Sequence, residues 1–587
     1  MGKARKLKLI RNQREIKQIN YSKKIFEWKY IGVIVIVGFI VFIKVFFNEF
    51  VWDDLHQIVE NKQTLLFQNI PQLFIKGFDF TYRPIFFATI SILNTIFELK
   101  PFFFHSVSIL LHLANTTLVF FLFQKFFSKR TAFILSLFFL VHPMNVEPVA
   151  NISFMMELLY FLFGIIALLL LTSINTRLSF KRLLLSMLFL LLSLLSKESG
   201  ILLIPIIFSY FNLFQRKLLA RTTIALLTTF GLYLFIRLGI AERPLIHKYL
   251  VPPYIPIQKL SFFDRLMSIP AIINYYFTTF FFPINLAVQQ YWIVKTIDFL
   301  HFFLPLISVV AIIGTIIYCA RMTSKRDKLL YQYFLFFSFW FLFGIIFHLQ
   351  ILPLTMTVAD RWFYLPMVGL LGMIACITSL APRSVRRFFP TIAIILLVLL
   401  SIRSLVRTYD WKDNYTLYSH DSQILKDNFS LENNLGAELL GKDNELAKYH
   451  IEKSIKLAPD WWLNWANLGT YYFFNHDLKQ AKKYYEVSLK NGNNANTYQL
   501  YSKVLLYDDT PGSTASARRI LEQGIGFYPE DWSLWELLAL ANYQLDDKEK
   551  AIIAAKRAYQ LTGDKRYQSL SEAITKGIKF HIKGDIR

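Results

Sequence analysis

Residues 31–54 read IGVIVIVGFIVFIKVFFNEFVWDD, an apolar run of spanning length followed at once by two adjacent aspartates. Coiled as a helix, a run of that length matches the hydrocarbon thickness of a bilayer. Ahead of it, Met1–Lys24 carries nine Lys or Arg against a single acid, Glu15, and no small-residue cleavage site follows the run. The segment therefore reads as a retained first span with a cytoplasmic N-terminus. Asp53 and Asp54 then leave the membrane on the far side.

Outward from this stretch the same pattern recurs. Further apolar runs lie near 102–124, 131–150, 157–172, 183–196, 200–215, 222–240, 300–320, 329–349, 362–381 and 389–406. Alternate turns are basic: Lys125/Lys129/Arg130, Arg177/Lys181/Arg182, Arg216/Lys217/Arg221, Arg321/Lys325/Arg326/Lys328 and Arg383/Arg386/Arg387. By the positive-inside rule these share the cytoplasmic side with the basic tail, and about eleven spans that start inside end outside. The apolar segment 270–287 breaks this parity, and the loop before it holds Arg243, Lys248, Lys259 and Arg265. It reads as re-entrant or interfacial.

Composition supports a membrane chain. Of 587 residues, 55% are hydrophobic and 18% charged, whereas soluble proteins reach about 45–50% apolar only with glycine included. The net charge of +24 gathers between apolar runs, which argues for membrane orientation and against nucleic-acid binding. Cys319 and Cys376 both sit inside apolar runs, so they supply neither a disulfide framework nor a metal quartet.

After about Thr408 the composition turns polar and helical, and a period appears. Asn434-Leu435-Gly436 recurs as Asn467-Leu468-Gly469, Ala447 as Ala481, and Pro459 as Pro529 two periods on. Large residues such as Trp465, Tyr472, Tyr485, Trp535 and Tyr543 fill positions between. A small–large alternation every ~34 residues is the packing pattern of tetratricopeptide repeats. The spacing predicts about four helix pairs, the third irregular around Asp508-Asp509-Thr510-Pro511-Gly512. The expected organisation is a basic tail (1–30), a multi-span domain (31–408), a connector (409–427) and a repeat domain (428–580). The fold class is all-α, a polytopic helix bundle followed by an α-solenoid.

Several turns on the side of Asp53 and Asp54 carry ionisable groups. Paired carboxylates beside hydrocarbon need solvation, a partner or a cation. One of them can serve as a general base while the other orients it or helps hold a metal; the same dipeptide is also an ordinary helix cap. Tyr82-Arg83-Pro84 offers a cation able to clamp a phosphate, or one that merely snorkels. His105, His112 and Asn115 share one face of a span and serve equally as helix–helix contacts. Val141-His142-Pro143 with Glu147 and Glu157, Ser196-Lys197-Glu198-Ser199-Gly200, and Val358-Ala359-Asp360-Arg361-Trp362 complete the set. No Walker loop, HExxH, GxSxG or Cys/His cluster occurs, so soluble-type nucleotidase, zinc-hydrolase and serine-hydrolase readings have no support.

In order, WDD, YRP, H-x6-H-x2-N, VHP, SKESG, VADRWFYLP and Arg407-x3-Trp411-x-Asp413-x3-Leu417-Tyr418 leading into repeats resemble the transmembrane and tetratricopeptide-repeat O-mannosyltransferases of the GT-C superfamily. The resemblance covers roughly 31–580. It implies a polyprenyl-phosphate sugar donor, Asp53 and Asp54 as the catalytic acids, Arg83 and Arg361 on the lipid phosphate, and His142, Lys197, Glu198 and Asp360 lining the site. Asp360 stands where relatives often carry Glu, and relatives often carry more repeats.

The expectation is therefore an integral membrane glycosyltransferase. It moves a hexose, mannose foremost, to Ser or Thr of a polypeptide that the repeats present. A divalent cation held by Asp53 and Asp54 is left open. Composition leans towards a bacterial inner membrane, with the repeats on the periplasmic or extracellular side. The alternatives are a glycan-assembly transferase or polymerase acting on saccharides, and a non-catalytic membrane scaffold that displays repeats.

Overall fold

A computed structural model describes residues 27–61, 65–76, 81–172, 179–241, 255–508 and 510–578. The basic tail to position 26, Arg177, Arg243, Lys248 and Asp509 lie outside the described residues. Among those described, the chain is helical throughout, apart from loops and isolated β-bridges such as that between Gln290 and Val358.

Each of the eleven apolar runs falls on helix, and their lengths differ in a way that matters. Eight helices, from Glu27–Phe47 to Arg383–Asp410, are long and apolar enough to cross a bilayer. The run at 131–150 is instead broken by 57° between Lys129–Val141 and Pro143–Ala150. The break falls at Pro143, whose ring removes a helical N–H and clashes with the preceding turn. The runs at 183–196 and 200–215 form the shorter helices Phe180–Ser196 and, with its leading 3₁₀ turn, Glu198–Phe214. Pro84–Phe97 is a further short apolar helix, with Pro84 in its first turn where a missing N–H is harmless.

Hydrogen bonds tie the turns into two ends. At one end lie the basic turns: Lys129 pairs with Glu27, Lys125 donates to Thr172 O, Gln332 to Leu213 O, and Arg326 to Leu380 O. Ser128, Ser179 and Asp327 cap the helices that start there, each accepting an otherwise unmet backbone N–H. At the other end the first turn after Glu27–Phe47 bonds to the turns at 151–153 and 408–414. Asp53 lies at this acid-bearing end.

The segment read as re-entrant or interfacial is part of one helix, Phe262–Phe281, that begins eight residues before the expected start. Bonds along its length go to the acid-bearing end: Arg265 to Gln350 O, Tyr275 to Asp360, and Phe280 O to His142. It lies across that end of the bundle.

Beyond Arg383–Asp410, the helix Asn414–Ile424 leads into four helix pairs: Phe429–Leu439 with Asn444–Leu457, Trp462–Phe474 with Leu478–Asn491, Ala495–Tyr507 with Ser513–Phe527, and Trp532–Gln544 with Lys548–Thr562. The closing helix is Lys565–Thr575. The small-residue position continues past Ala447 and Ala481 to Ala517 and Ala551, all fully buried. A methyl group on Gly436 would come within 2.7 Å of Ile451 Cγ1 and 3.1 Å of Ala447 O, so only glycine lets these two helices close. Two repeats on, the entry turn repeats bond for bond: Trp465 Nε1 donates to Pro459 O at 2.7 Å and Trp535 Nε1 to Pro529 O at 2.9 Å.

The repeats dock on the acid-bearing end. Arg407 forks onto both oxygens of buried Asp421, which also accepts Val288 N–H at 2.7 Å. Burial would raise the Asp421 carboxyl, but the Arg407 guanidinium together with hydrogen bonds from His420, Arg407 and Val288 N–H outweighs it, so it sits below the ordinary carboxylate range. Asn428 donates to Gln289 O. The R-x3-W-x-D motif is thus the joint between bundle and solenoid.

Candidate active site

The two adjacent acids have opposite surroundings. Asp54 is fully buried and accepts from three backbone N–H groups: Val51 at 3.2 Å, Ile152 at 3.3 Å and Ser153 at 2.6 Å. It pins the first turn to the 3₁₀ segment Ile152–Phe154. Burial pushes its carboxyl up to about 7, against the pull of those N–H groups. Asp53 is half-buried, and among the described residues its carboxylate has no hydrogen-bond partner. Burial raises its carboxyl above the ordinary range, opposed chiefly by the Arg361 guanidinium. A raised, unpartnered carboxylate is what a general base requires.

Around Asp53 stand cations, each backed by a carboxylate. Arg361 pairs with Glu147, whose second oxygen accepts the Arg361 backbone N–H at 2.9 Å. The guanidinium lies 3.9 Å from the centre of the Phe154 ring, with Trp52 and Trp362 beyond. Its planar, weakly hydrated head suits such an aromatic box. Lys197 pairs with Glu157, both buried. Arg83 donates through Nε to Glu198 Oε2 at 3.0 Å, and its side chain keeps 20% exposure. Glu198 is shared, because Arg237 reaches its other oxygen at 3.3 Å.

The expected residues are thus mostly brought together, from turns far apart in sequence. Asp360 is present but occupied: its Oδ1 accepts from Tyr275 at 2.8 Å, which fixes the turn. His142 stands apart in role. Its Nε2 meets Phe280 O at 3.0 Å, its Nδ1 accepts Met144 N–H, and its ring stacks on Phe280, so both nitrogens serve the bend. His112 and Asn115 bond to Tyr364 between helices, His105 lies against Glu49 O, and all three act as packing contacts.

Two residues escaped the sequence reading. Arg237 is buried at the end of Arg216–Ile240 and bonds Tyr233 as well as Glu198. Its signal was a lone charge inside an apolar run, which is expensive unless paired. His348 is buried, its ring stacked 5.2 Å from that of Trp362, with Nδ1 unpartnered. Burial, with Lys197 and Arg361 nearby, pushes it down to about 3, so it is neutral. It had no motif to announce it. Among the described residues no three His, Cys, Asp or Glu side chains gather as a metal would need. With Asp54 taken up by N–H donors, the aspartate pair does not fit a divalent cation.

Residues 82–239 match the family model described as dolichyl-phosphate-mannose-protein mannosyltransferase. The likeness is to O-mannosyltransferases. A protein O-mannosyl-transferase of Caenorhabditis elegans is 28% identical over 442 residues, covering 70% of this chain and 60% of that protein. The chain thus spans about 60% of the length of that curated relative. Arg83, Glu147, Glu157, Lys197, Glu198 and Arg237 fall inside the mannosyltransferase-like segment, whereas Asp53 and Arg361 fall outside it. A crystal structure of yeast Tom70 superposes over 80% of this chain and 96% of its own, at 11% identity and a TM-score of 0.27.

Proposed function

We propose that the chain is a membrane glycosyltransferase that moves mannose from a polyprenyl-phosphate donor to Ser or Thr of a polypeptide acceptor. The observation that carries this reading is an unpartnered carboxylate, Asp53, set among carboxylate-backed cations at the end of the bundle where the repeats dock. The acceptor hydroxyl gives its proton to Asp53 Oδ as its oxygen attacks the anomeric carbon. The bond from that carbon to the phosphate oxygen breaks, and polyprenyl phosphate departs with the electron pair. Arg361 and Arg83, with Lys197 behind them, face the charge that develops on this phosphate. Their carboxylate partners hold them in place beforehand, so little reorganisation is needed at the moment of reaction. Asp54 keeps the turn in place and Asp360 its neighbour.

The repeats present the acceptor. Between them and the acid turn lies a cavity of about 490 Å³, lined by Glu49, Phe50, Leu55, Asn414, Tyr415 and Glu438 among others, where the acceptor segment would lodge. The positive-inside rule sets the basic end in the cytoplasm and the site and repeats outside. The Lys-, Ile- and Phe-rich composition favours a bacterial inner membrane.

The test is transfer of radiolabelled mannose from polyprenyl-phosphate mannose to membrane-protein extract by purified chain, beside Asp53→Asn. Label on protein with the wild type, lost in the variant at unchanged melting temperature, is the expected result. Label on saccharide alone would replace the acceptor, and undiminished transfer by Asp53→Asn would remove the base assignment.

A further inference from the structure

The turn that carries Asp53 rests on an unusual backbone. Trp52 has φ of 53°, in the left-handed region that a bulky side chain rarely enters unless its surroundings hold it there. Asp54 holds it from the bundle, and a second hold comes from the repeat side. Trp52 N–H donates to Asn414 Oδ1 at 2.8 Å, and Glu49 N–H donates to Lys412 O at 2.9 Å. The Asn414 amide is engaged at both ends, because its Nδ2 donates at 2.8 Å to Glu438 Oε1 on Phe429–Leu439, the first helix of the first repeat. An amide with its oxygen and nitrogen both committed has one orientation.

Asn414 is not needed for the local task its position suggests. The helix Asn414–Ile424 is capped by Asp413, whose side chain accepts Thr416 N–H at 2.8 Å. The Asn414 side chain instead faces the bundle. The carboxylate of Asp53, the next residue after Trp52, has no hydrogen-bond partner among the described residues, so its place is set by the backbone behind it.

From this geometry we infer that Asn414 is a positioning residue, transmitting the placement of the first repeat through the Trp52 amide to the Asp53 carboxylate. The inference rests on the proposed role of Asp53 as base. It makes the solenoid a working part of the catalytic turn: a shift of Phe429–Leu439 pulls on Glu438, then Asn414, then Trp52. The junction cavity touches the same parts, since Asn414 and Glu438 both line it, so an acceptor segment lodged there meets both ends of the relay.

The experiment uses the full chain in detergent with three proteins: wild type, Asn414→Ala, and the exchanged pair Asn414→Asp with Glu438→Gln. The pair keeps net charge and both bonds while swapping donor and acceptor between the two positions. Two quantities are read: kcat and donor KM for mannose transfer from polyprenyl-phosphate mannose, and amide hydrogen exchange over residues 51–55. Asn414→Ala is expected to lower kcat by about 10–10²-fold, the scale of an ångström of misplacement, with donor KM unchanged and faster exchange in the turn. The exchanged pair is expected to restore both readouts. The inference is overturned if Asn414→Ala matches wild type in kcat and exchange, or if the pair stays as impaired as the single variant. If Asn414→Ala fails to fold, the pair alone decides, since it must exchange and turn over like wild type. A wild type that transfers no mannose would sink the transferase reading only, because hydrogen exchange reads the relay without turnover.

Discussion

The bundle and the solenoid are both built of paired helices, yet they bury different things. The acid-bearing end of the bundle gathers the ion pairs Arg361–Glu147, Lys197–Glu157 and Arg83–Glu198–Arg237, of which Arg361, Glu147 and Arg83 bear on Asp53. The repeats bury mainly alanines, a glycine against a facing helix, and hydroxyls that bond to backbone, such as Ser454 to Phe429 O, with the carboxylates Glu432 and Asp508 each met by a half-exposed lysine. Buried ion pairs contribute little net stability compared with apolar packing, because desolvation offsets their attraction. A fold that needed only to stand would have used the second solution throughout. Charge concentrated at one end, beside an acid with no partner among the described residues, is what the proposed chemistry draws on.

Substitutions that separate chemistry from packing test that contrast, and Asp53→Asn has the largest expected effect. It should lower kcat by about 10²–10⁴-fold, the usual worth of a general base, with the melting temperature unchanged. Asp54→Asn should act mainly on stability, with a loss of about 1–3 kcal/mol from backbone N–H groups left poorly paired in a buried site and a fall in turnover of about 10-fold from the loosened turn, well short of that at Asp53. Equal effects at both positions would break the distinction between base and pin.

Arg361→Gln comes next, with a fall of about 10²–10³-fold in kcat/KM, as for loss of one charge-stabilising donor. It also carries a pH signature. Arg361 is the chief influence opposing the burial that raises Asp53. Without that positive charge the carboxylate ionises at higher pH, and the acidic limb of kcat/KM against pH moves upward. A limb that moved downward would show that Arg361 does not face Asp53.

The repeats should respond in stability, with donor binding unmoved. Gly436→Ala must push a methyl group against Ile451 and the backbone at Ala447, at a cost of about 1–3 kcal/mol from overpacking. Urea unfolding of the repeat signal should shift while donor KM holds. Trp465→Phe, which removes one exposed hydrogen bond to Pro459 O, should cost about 0.5–1.5 kcal/mol.

Much of this was legible beforehand because it depends on local pattern. Spanning length, alternate basic turns and the ~34-residue recurrence of Gly436/Gly469 and Ala447/Ala481 are statements about neighbours along the chain, and they locate helices and repeats. The turns that meet at the site were legible too, since all carry charge beside apolar runs. Illegible were the pairings. Asp53 and Asp54 are identical in sequence, and only the N–H groups of Ile152 and Ser153, about a hundred residues on, tell them apart. His142 looked like a site residue until Phe280 supplied its partner. Arg237 and His348 carried no motif, because each owes its place to packing between helices.

The entry turns at Trp465 and Trp535 close on prolines six residues upstream, wholly inside their own repeats. These fastenings, and the bonds between adjacent repeats such as Asn467 to Asn433, are all local along the solenoid. Length becomes a free variable: one more period, or one fewer, would change how far the solenoid extends from the membrane surface while the joint at Arg407 and Asp421 stayed as it is. The reach of the arm can be altered without touching the hand.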